Sequence, residues 1–302
     1  MKLLLGGDWH LTNKKPVNRT DNFVETQQRK IEDIFSLALE YKARAILQPG
    51  DFFDHHNMPD IVKTTWIKYF KAQDIPIITV PGQHDMRYHS SDIENTPMGV
   101  LNASEVIKVI RPPFPYVFPA MSPNEKNVYV YGAGWNDDIP EPLDDEGTHI
   151  LLIHKLVIKD EKFDGIPAQE LFKEPFDLIV SGDNHKGFAY SDGKRHLVNC
   201  GSLMRANIDQ STHQPYIYIY DTEMNKMKGH AIPVQDFEEV MDMAKASEEK
   251  KRNKTLESFV EGLDFEGKIE GLNFKKNMIE WLKKNTKDVK EGIVTFINEV
   301  ME

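Results

Sequence analysis

Five short stretches, far apart in the chain, carry side chains that bind metals: Asp8-Trp9-His10, Gly50-Asp51, Gly82-Gln83-His84-Asp85, His154 and Gly182-Asp183-Asn184-His185. Carboxylates and neutral imidazoles gathered in one place suit divalent transition ions such as manganese, iron or zinc. Two such ions ~3.5–4 Å apart, sharing one oxygen ligand, acidify a water and neutralise charge on a phosphoryl group under in-line attack. Asp51 sits in the shortest loop, behind a glycine that permits close approach, and is the candidate bridge. His84 need not be a ligand: beside the metals it can protonate the leaving oxygen, with Asp85 fixing its tautomer. A lone Asp-x-His or Gly-Asp occurs by chance in many chains. Five in order, each ending an apolar run (LLLGG, AILQP, IITVP, HILLI, DLIVS), point to a metal site and to phosphoester hydrolysis.

Apolar runs can deliver five loops to one place if they are strands whose tips share an edge. Residues 2–7 read as a buried strand, and residues 22–41 as a helix with Phe23, Ile31, Ile34, Phe35, Leu37 and Ala38 on one face. A strand from Ala45 to Gln48, a helix from about Pro59 to Ala72 and a strand from Ile75 to Val80 follow. This alternation predicts right-handed crossovers and a parallel sheet. Beyond residue 107, the runs Tyr116–Phe118, Val128–Gly132, His149–His154, Asp177–Ser181, Leu197–Cys200 and Tyr216–Tyr220 predict a second, mainly antiparallel sheet packed on the first. The fold class is therefore α/β, a two-sheet sandwich flanked by helices.

Near Gln235 the composition turns to Lys, Glu and helix formers. The domain division is 1–234 for the main domain and 235–302 for a helical appendage that either caps the core or docks a partner. Its apolar stripes are Phe274, Met278, Ile279, Trp281 and Leu282, then Val289, Ile293, Phe296, Ile297 and Val300. The sequence assigns no dimer surface; the candidates are an apolar face on the 59–72 helix or the 88–101 region (Tyr88, Ile93, Met98, Val100, Leu101).

The single cysteine, Cys200, excludes an intramolecular disulfide and favours a reducing compartment. MKLLLGGDWH is too short and too soon polar for a signal peptide, and no apolar run approaches the ~20 residues of a membrane span, so a cytoplasmic protein is expected. The net charge of −11 does not advertise nucleic-acid binding, yet acidic metal ligands contribute to it and bound cations reverse the sign locally.

The order Asp-x-His, Gly-Asp, Gly-x-His-Asp, His, Gly-x-x-His resembles the calcineurin-like metallophosphoesterase superfamily over about residues 1–221. GDFFD at 50–54 and NCGSLMR at 199–205 look most like the SbcD-type DNA repair nucleases, catalytic subunits of the SbcC–SbcD complex. The compact length is similar to phage-encoded recombination endonuclease subunits of that group. By position, the resemblance implies one metal on Asp8, His10, Asp51 and His185 and another on Asp51, Gln83, His154 and Asp183, with His84 as the catalytic histidine. Two positions depart from the pattern: Gln83 stands for the usual Asn, and Asp183 for the usual first His. Both offer oxygen, which shifts preference from zinc toward manganese, or magnesium. The resemblance also implies a phosphate-contacting histidine near residue 54. His55 and His56 are the candidates although the matching position is Asp54, and Arg205 either contacts phosphate or anchors its loop. The implied activity is a two-metal DNA nuclease, 3′-to-5′ exonuclease and endonuclease on single strands or hairpins, in a homodimer bound to an SbcC-like coiled-coil ATPase. A phosphoprotein or small-molecule phosphatase on the same core is the alternative. A non-catalytic scaffold is the third reading, and the coordinating chemistry kept at every station argues against it.

Overall fold

The structure is a computed structural model that describes residues 1–88, 90, 92–159, 165–245 and 247. Along the chain run β1 (Lys2–Leu5), α1 (Phe23–Glu40), β2 (Ile46–Gln48), α2 (Asp60–Lys71), β3 (Ile77–Thr79), α3 (Pro97–Ala103), β4 (Lys108–Val109), β5 (Tyr116–Phe118) and β6 (Val128–Ala133). They are followed by β7 (Thr148–Ile153), β8 (Val157–Ile158), β9 (Ile166–Pro167), α4 (Ala168–Leu171), β10 (Leu178–Ser181), β11 (Phe188–Ser191), β12 (His196–Asn199), β13 (Tyr216–Asp221), β14 (Lys226–Ala231) and α5 (Phe237–Val240).

Two six-stranded mixed sheets stack face to face. The first has the order β14-β13-β1-β2-β3-β4, the second β11-β12-β10-β7-β6-β5. In the first, β1 through β4 are parallel, as the alternation of strand and helix requires, and β13 and β14 join antiparallel beside β1. Both faces of each sheet are covered, which is why the strands read as unbroken apolar runs. Leu3 and Leu5 of β1 point between the sheets, against Ile150, Leu152, Leu178 and Val180, while Leu4 points outward to Ile31, Ile34 and Phe35 of α1 and Trp66 and Phe70 of α2. The outer face of the second sheet, with Leu151, Ile153 and Ile179, is covered by Leu171 and Phe176.

Two sequence expectations change here. The second sheet is not mainly antiparallel: β6, β7, β10 and β12 are parallel, and only its edge strands β5 and β11 run the other way. The run Tyr216–Tyr220 belongs to the first sheet, where β13 pairs with β1. A short apolar run betrays burial but neither its partner nor its direction.

The first compact unit extends to Met243, past the expected boundary at residue 234. Phe237, Val240 and Met241 are buried in it, and Thr20 N donates to Val240 O. The stripes at 274–282 and 289–300 lie outside the described residues. In the 88–101 region Met98 and Leu101 are fully buried, so they cannot belong to an exposed apolar face. Ile61 on α2, Tyr88 and Val100 are exposed. Among the described residues no helix is long and apolar enough to cross a membrane.

Candidate metal centre

The loops after β1, β2, β3, β7 and β10 meet at one end of the sandwich, and buried amides hold them in register. Gln48, the last residue of β2, donates to Gly7 O at 3.1 Å and to Gly50 O, and accepts from Gly50 N and from the Thr79 hydroxyl at the end of β3. Gln27, on the buried face of α1, donates to the carbonyls of Trp9 and His10 at 3.1 and 2.9 Å. Asp8 is stitched to the loop after β12: its N donates to Gly201 O, and Leu203 N donates to its carbonyl at 2.8 Å. His10, Asp51 and Asp183 take left-handed backbone angles (φ 45°, 47° and 73°), a conformation kept where the surroundings over-determine it. A Cβ on Gly82 would stand 2.1 Å from Asp51 Oδ1, and one on Gly182 would stand 2.5 Å from Asp8 Oδ1. Only glycine lets those carboxylates sit against the backbone.

These constraints gather the side chains. Asp51 Oδ2 lies 3.4 Å from His154 Nε2, 3.7 Å from His10 Nε2 and 3.9 Å from His84 Nε2. His10 Nε2 and His185 Nε2 are 3.1 Å apart, and the ligand atoms of Asp8, His10 and His185 lie within 4.8 Å of one another. On the other side, His154 Nε2 faces Gln83 Oε1 at 3.1 Å, and the Gln83 amide donates to Asp183 Oδ1 at 2.9 Å. Each residue expected around the two metals is therefore in this cluster. Buried Asp8 Oδ1, Asp51 Oδ2 and His10 Nδ1 have no hydrogen-bond partner among the described residues. Orphaned buried carboxylate oxygens beside imidazole nitrogens are costly, and a divalent cation would satisfy them. The donor set fits the metals.

The electrostatics reflect burial and the opposed charges packed into the cluster. Burial, with the neighbouring imidazoles, pushes His10 down to about 3, so it is neutral, the form that ligates. Burial also raises Asp8 well above the carboxylate range, with Asp51 and Asp183 adding to it. At the centre burial opposes charge on both Asp51 and His154, yet the pair wins: Asp51 is held below its ordinary range, and His154 is pushed up to about 10. A cation at Asp51 would supply the same neutralisation. His154 Nδ1 lies 2.8 Å from the carbonyl of Pro49, so its bound proton sits there and Nε2 faces Asp51.

His84 stands differently. Its Nδ1 is 2.7 Å from the carbonyl of Asp54, which can only accept, so Nδ1 carries a proton and Nε2 is the nitrogen turned to Asp51. The side chain is 40% exposed, enough to meet a substrate. Asp85 does not fix the tautomer, as had been expected. It is fully buried and accepts from the backbone N–H groups of Phe52, Phe53 and Gly82 at 3.0–3.1 Å. Burial and Asp51 push it up to about 7 against those bonds. Asp85 shapes the two loops, and a main-chain carbonyl orients the histidine.

The expected substrate contacts fare unevenly. A cleft of about 350 Å³ opens at His10, Asp54, His84 and His185, and Lys14 and Lys15 also line it. His55 and His56 do not line it; their rings stack on each other with centroids 4.2 Å apart. Arg205 is buried, donates to the carbonyls of Ser211 and Gln235, and lies over the Phe237 ring at 5.4 Å. These bonds to main-chain carbonyls anchor its loop.

Beneath that loop lie two cations the sequence reading passed over. Lys30 of α1 donates to Leu203 O at 2.8 Å, and Arg19, paired with Asp21 at 2.7 Å, donates to Arg205 O at 2.6 Å. Burial, with Arg205 and Arg19 nearby, lowers Lys30 from 10.5 to about 7. Between those values the unfolded chain binds the extra proton, so this group makes stability rise with pH. Lys30→Met is expected to remove that rise: relative to wild type, the variant gains most near pH 6.5 and least near pH 10. Urea midpoints at both pH values read this, and a pH-independent difference would refute it. Gln27 and Lys30 had a signal in the sequence, because each interrupts the apolar face of α1 within a turn of Phe23 or Ile34.

Comparison with known proteins places this geometry. The sequence model for calcineurin-like phosphoesterases matches residues 1–199. The DNA double-strand break repair protein Mre11 of Sulfolobus acidocaldarius is 29% identical over 221 residues, covering 67% of this chain and 54% of that protein. The chain thus spans about half the length of the curated relative it matches. Among solved structures, one described as a 5′-nucleotidase from Staphylococcus aureus, in complex with α-ketoglutarate, superposes with a TM-score of 0.50. It is 11% identical, covers 84% of this chain and 58% of its own, and shares the fold.

Proposed function

The chain belongs to the calcineurin-like phosphoesterase family, which makes it a metal-dependent phosphoesterase, and from that premise we propose that it is a nuclease hydrolysing phosphodiester bonds in DNA. The observation that carries the chemistry is Asp51 Oδ2, buried without a hydrogen bond among the described residues and within 3.9 Å of three imidazoles, two of which, His10 and His84, line the cleft. DNA as substrate is supported by the likeness to Mre11 and by Lys14 and Lys15 on the wall of that cleft, where ammonium groups meet a phosphate backbone.

Asp8, His10, Asp51 and His185 would hold one ion, and Asp51, Gln83, His154 and Asp183 the other. Oxygen donors at Gln83 and Asp183 favour manganese, with magnesium as a substitute. When bound, the ions acidify a water and neutralise charge on the phosphate. The protein does the rest. His84 in its cationic form donates the Nε2 proton to the leaving oxygen and keeps Nδ1–H on the Asp54 carbonyl. Gln27, Gln48 and Asp85 hold the loops at the spacing this needs. The same reading carries its partners: a second copy of the chain, and a coiled-coil ATPase docked on the segment beyond Met243, whose truncation would abolish that binding alone.

Incubation with manganese and a labelled hairpin DNA, beside a phosphopeptide and a phenyl phosphate ester, tests the substrate. Cleavage of the hairpin and its loss with chelator are expected. Turnover of the phosphopeptide or the ester alone would replace the nuclease with a phosphatase.

A further inference from the structure

We propose that Tyr88, with the stacked imidazoles of His55 and His56, is a platform on which an unpaired nucleobase of single-stranded DNA stacks beside the metal centre. The proposal rests on the DNA reading above and adds the contact that would hold an unpaired base beside the site. Tyr88 is 81% exposed. Its φ of 51° is left-handed, which costs a bulky residue and is kept where another requirement offsets it. The Arg87 guanidinium lies 5.3 Å from the centre of its ring. The His56 ring is 6.0 Å away at 48°, and His55 stacks on His56 at 4.2 Å and 28°.

Both segments leave the metal centre itself. Asp54, whose carbonyl orients His84, immediately precedes His55, and Tyr88 follows the turn Gln83–Asp85 that carries His84. His56 is two residues from Asp54, at most about 7 Å of chain, so a base on the platform lies roughly one or two nucleotides from the scissile phosphate. Exposed aromatic and imidazole faces beside a guanidinium take bases regardless of sequence, and the cation complements the adjoining phosphate. A base inside a duplex is already stacked on its neighbours and gains little here. The platform therefore favours single-stranded ends and hairpin loops over intact duplex.

The test uses the full chain carrying His84→Ala, with manganese, so that DNA binds with turnover suppressed. A single-stranded oligonucleotide containing 2-aminopurine reports stacking by fluorescence quenching. Adding Tyr88→Ala is expected to weaken single-strand binding about ten-fold and to abolish the quench, whereas Tyr88→Phe keeps both. Binding of a blunt duplex stays the same, and so does the unfolding midpoint. Unchanged affinity and quench in Tyr88→Ala would overturn the platform. So would a change of oligomeric state with DNA binding intact, which would make this face an interface between copies. If hairpin DNA is cleaved at the wild-type rate by Tyr88→Ala alone, only the platform falls. If wild type cleaves no DNA, the nuclease reading falls with it.

Discussion

His84→Ala is expected to lower turnover about 10²–10⁴-fold, the usual contribution of a general acid, while the protein folds and binds manganese as before. The residue is 40% exposed, and its imidazole makes one hydrogen bond, to the Asp54 carbonyl, so its removal leaves no buried group unsatisfied within a packed core. The backbone N–H that His84 gives to Asp51 Oδ1 survives the substitution. What disappears is the proton at Nε2. That loss has a signature beyond a slower rate. A phosphodiester whose leaving group is already acidic, such as a nitrophenolate, needs little protonation, so the variant should lose far less with it than with DNA. Equal losses on both substrates would assign His84 to charge stabilisation, and an unchanged rate on DNA would remove it from the chemistry.

The contrast between His84 and Asp85 shows where sequence reading stops. That both belong to the site was legible, because Gly82-Gln83-His84-Asp85 follows an apolar run and stands third in a fixed order of motifs. What Asp85 does there was not, because adjacent residues in a tight turn point in different directions. Asp85 turns inward to three backbone N–H groups, and only coordinates show that a carbonyl thirty residues away in sequence orients the histidine. Arg205 teaches the same lesson. A guanidinium suits a phosphate and a set of main-chain carbonyls equally, and the choice was made by α5 folding back so that Phe237 and the Gln235 carbonyl meet it. The parallel half of the first sheet was legible from the strand–helix alternation. The second sheet was not, because β6 and β7 are parallel although no helix marks the crossover between them.

Asp51→Asn is expected to abolish the stabilisation that manganese gives the wild-type protein. At a free ion concentration one hundred times its dissociation constant, a ligand that binds only the folded state adds about 2.7 kcal/mol. For a unit of this size that raises the unfolding midpoint by about 5–11 °C. The substitution is nearly isosteric and keeps an oxygen for the His84 N–H, so the fold should persist. It replaces the one anionic oxygen that faces His10, His84 and His154 together with an amide that brings no charge. Without that charge His154 loses the largest of the interactions that raise its pKa, and burial then works against its proton with only Asp8 and Asp183 opposing. The sign follows. In wild type the Asp51–His154 pair contributes stability fully below the unfolded histidine value, and loses it as pH rises through about 10. On the acid side the contribution falls away as Asp51, held below its ordinary range, takes up a proton. A cation competes with the proton on His154, so manganese should bind wild type more tightly as pH rises from 6.5 toward 10, with release of that proton. Thermal melts of wild type and variant, with manganese and with chelator, read all of this. A variant that keeps the manganese-induced shift would show that the shared aspartate is not what holds the ions, and the two-metal reading of the cluster would go with it.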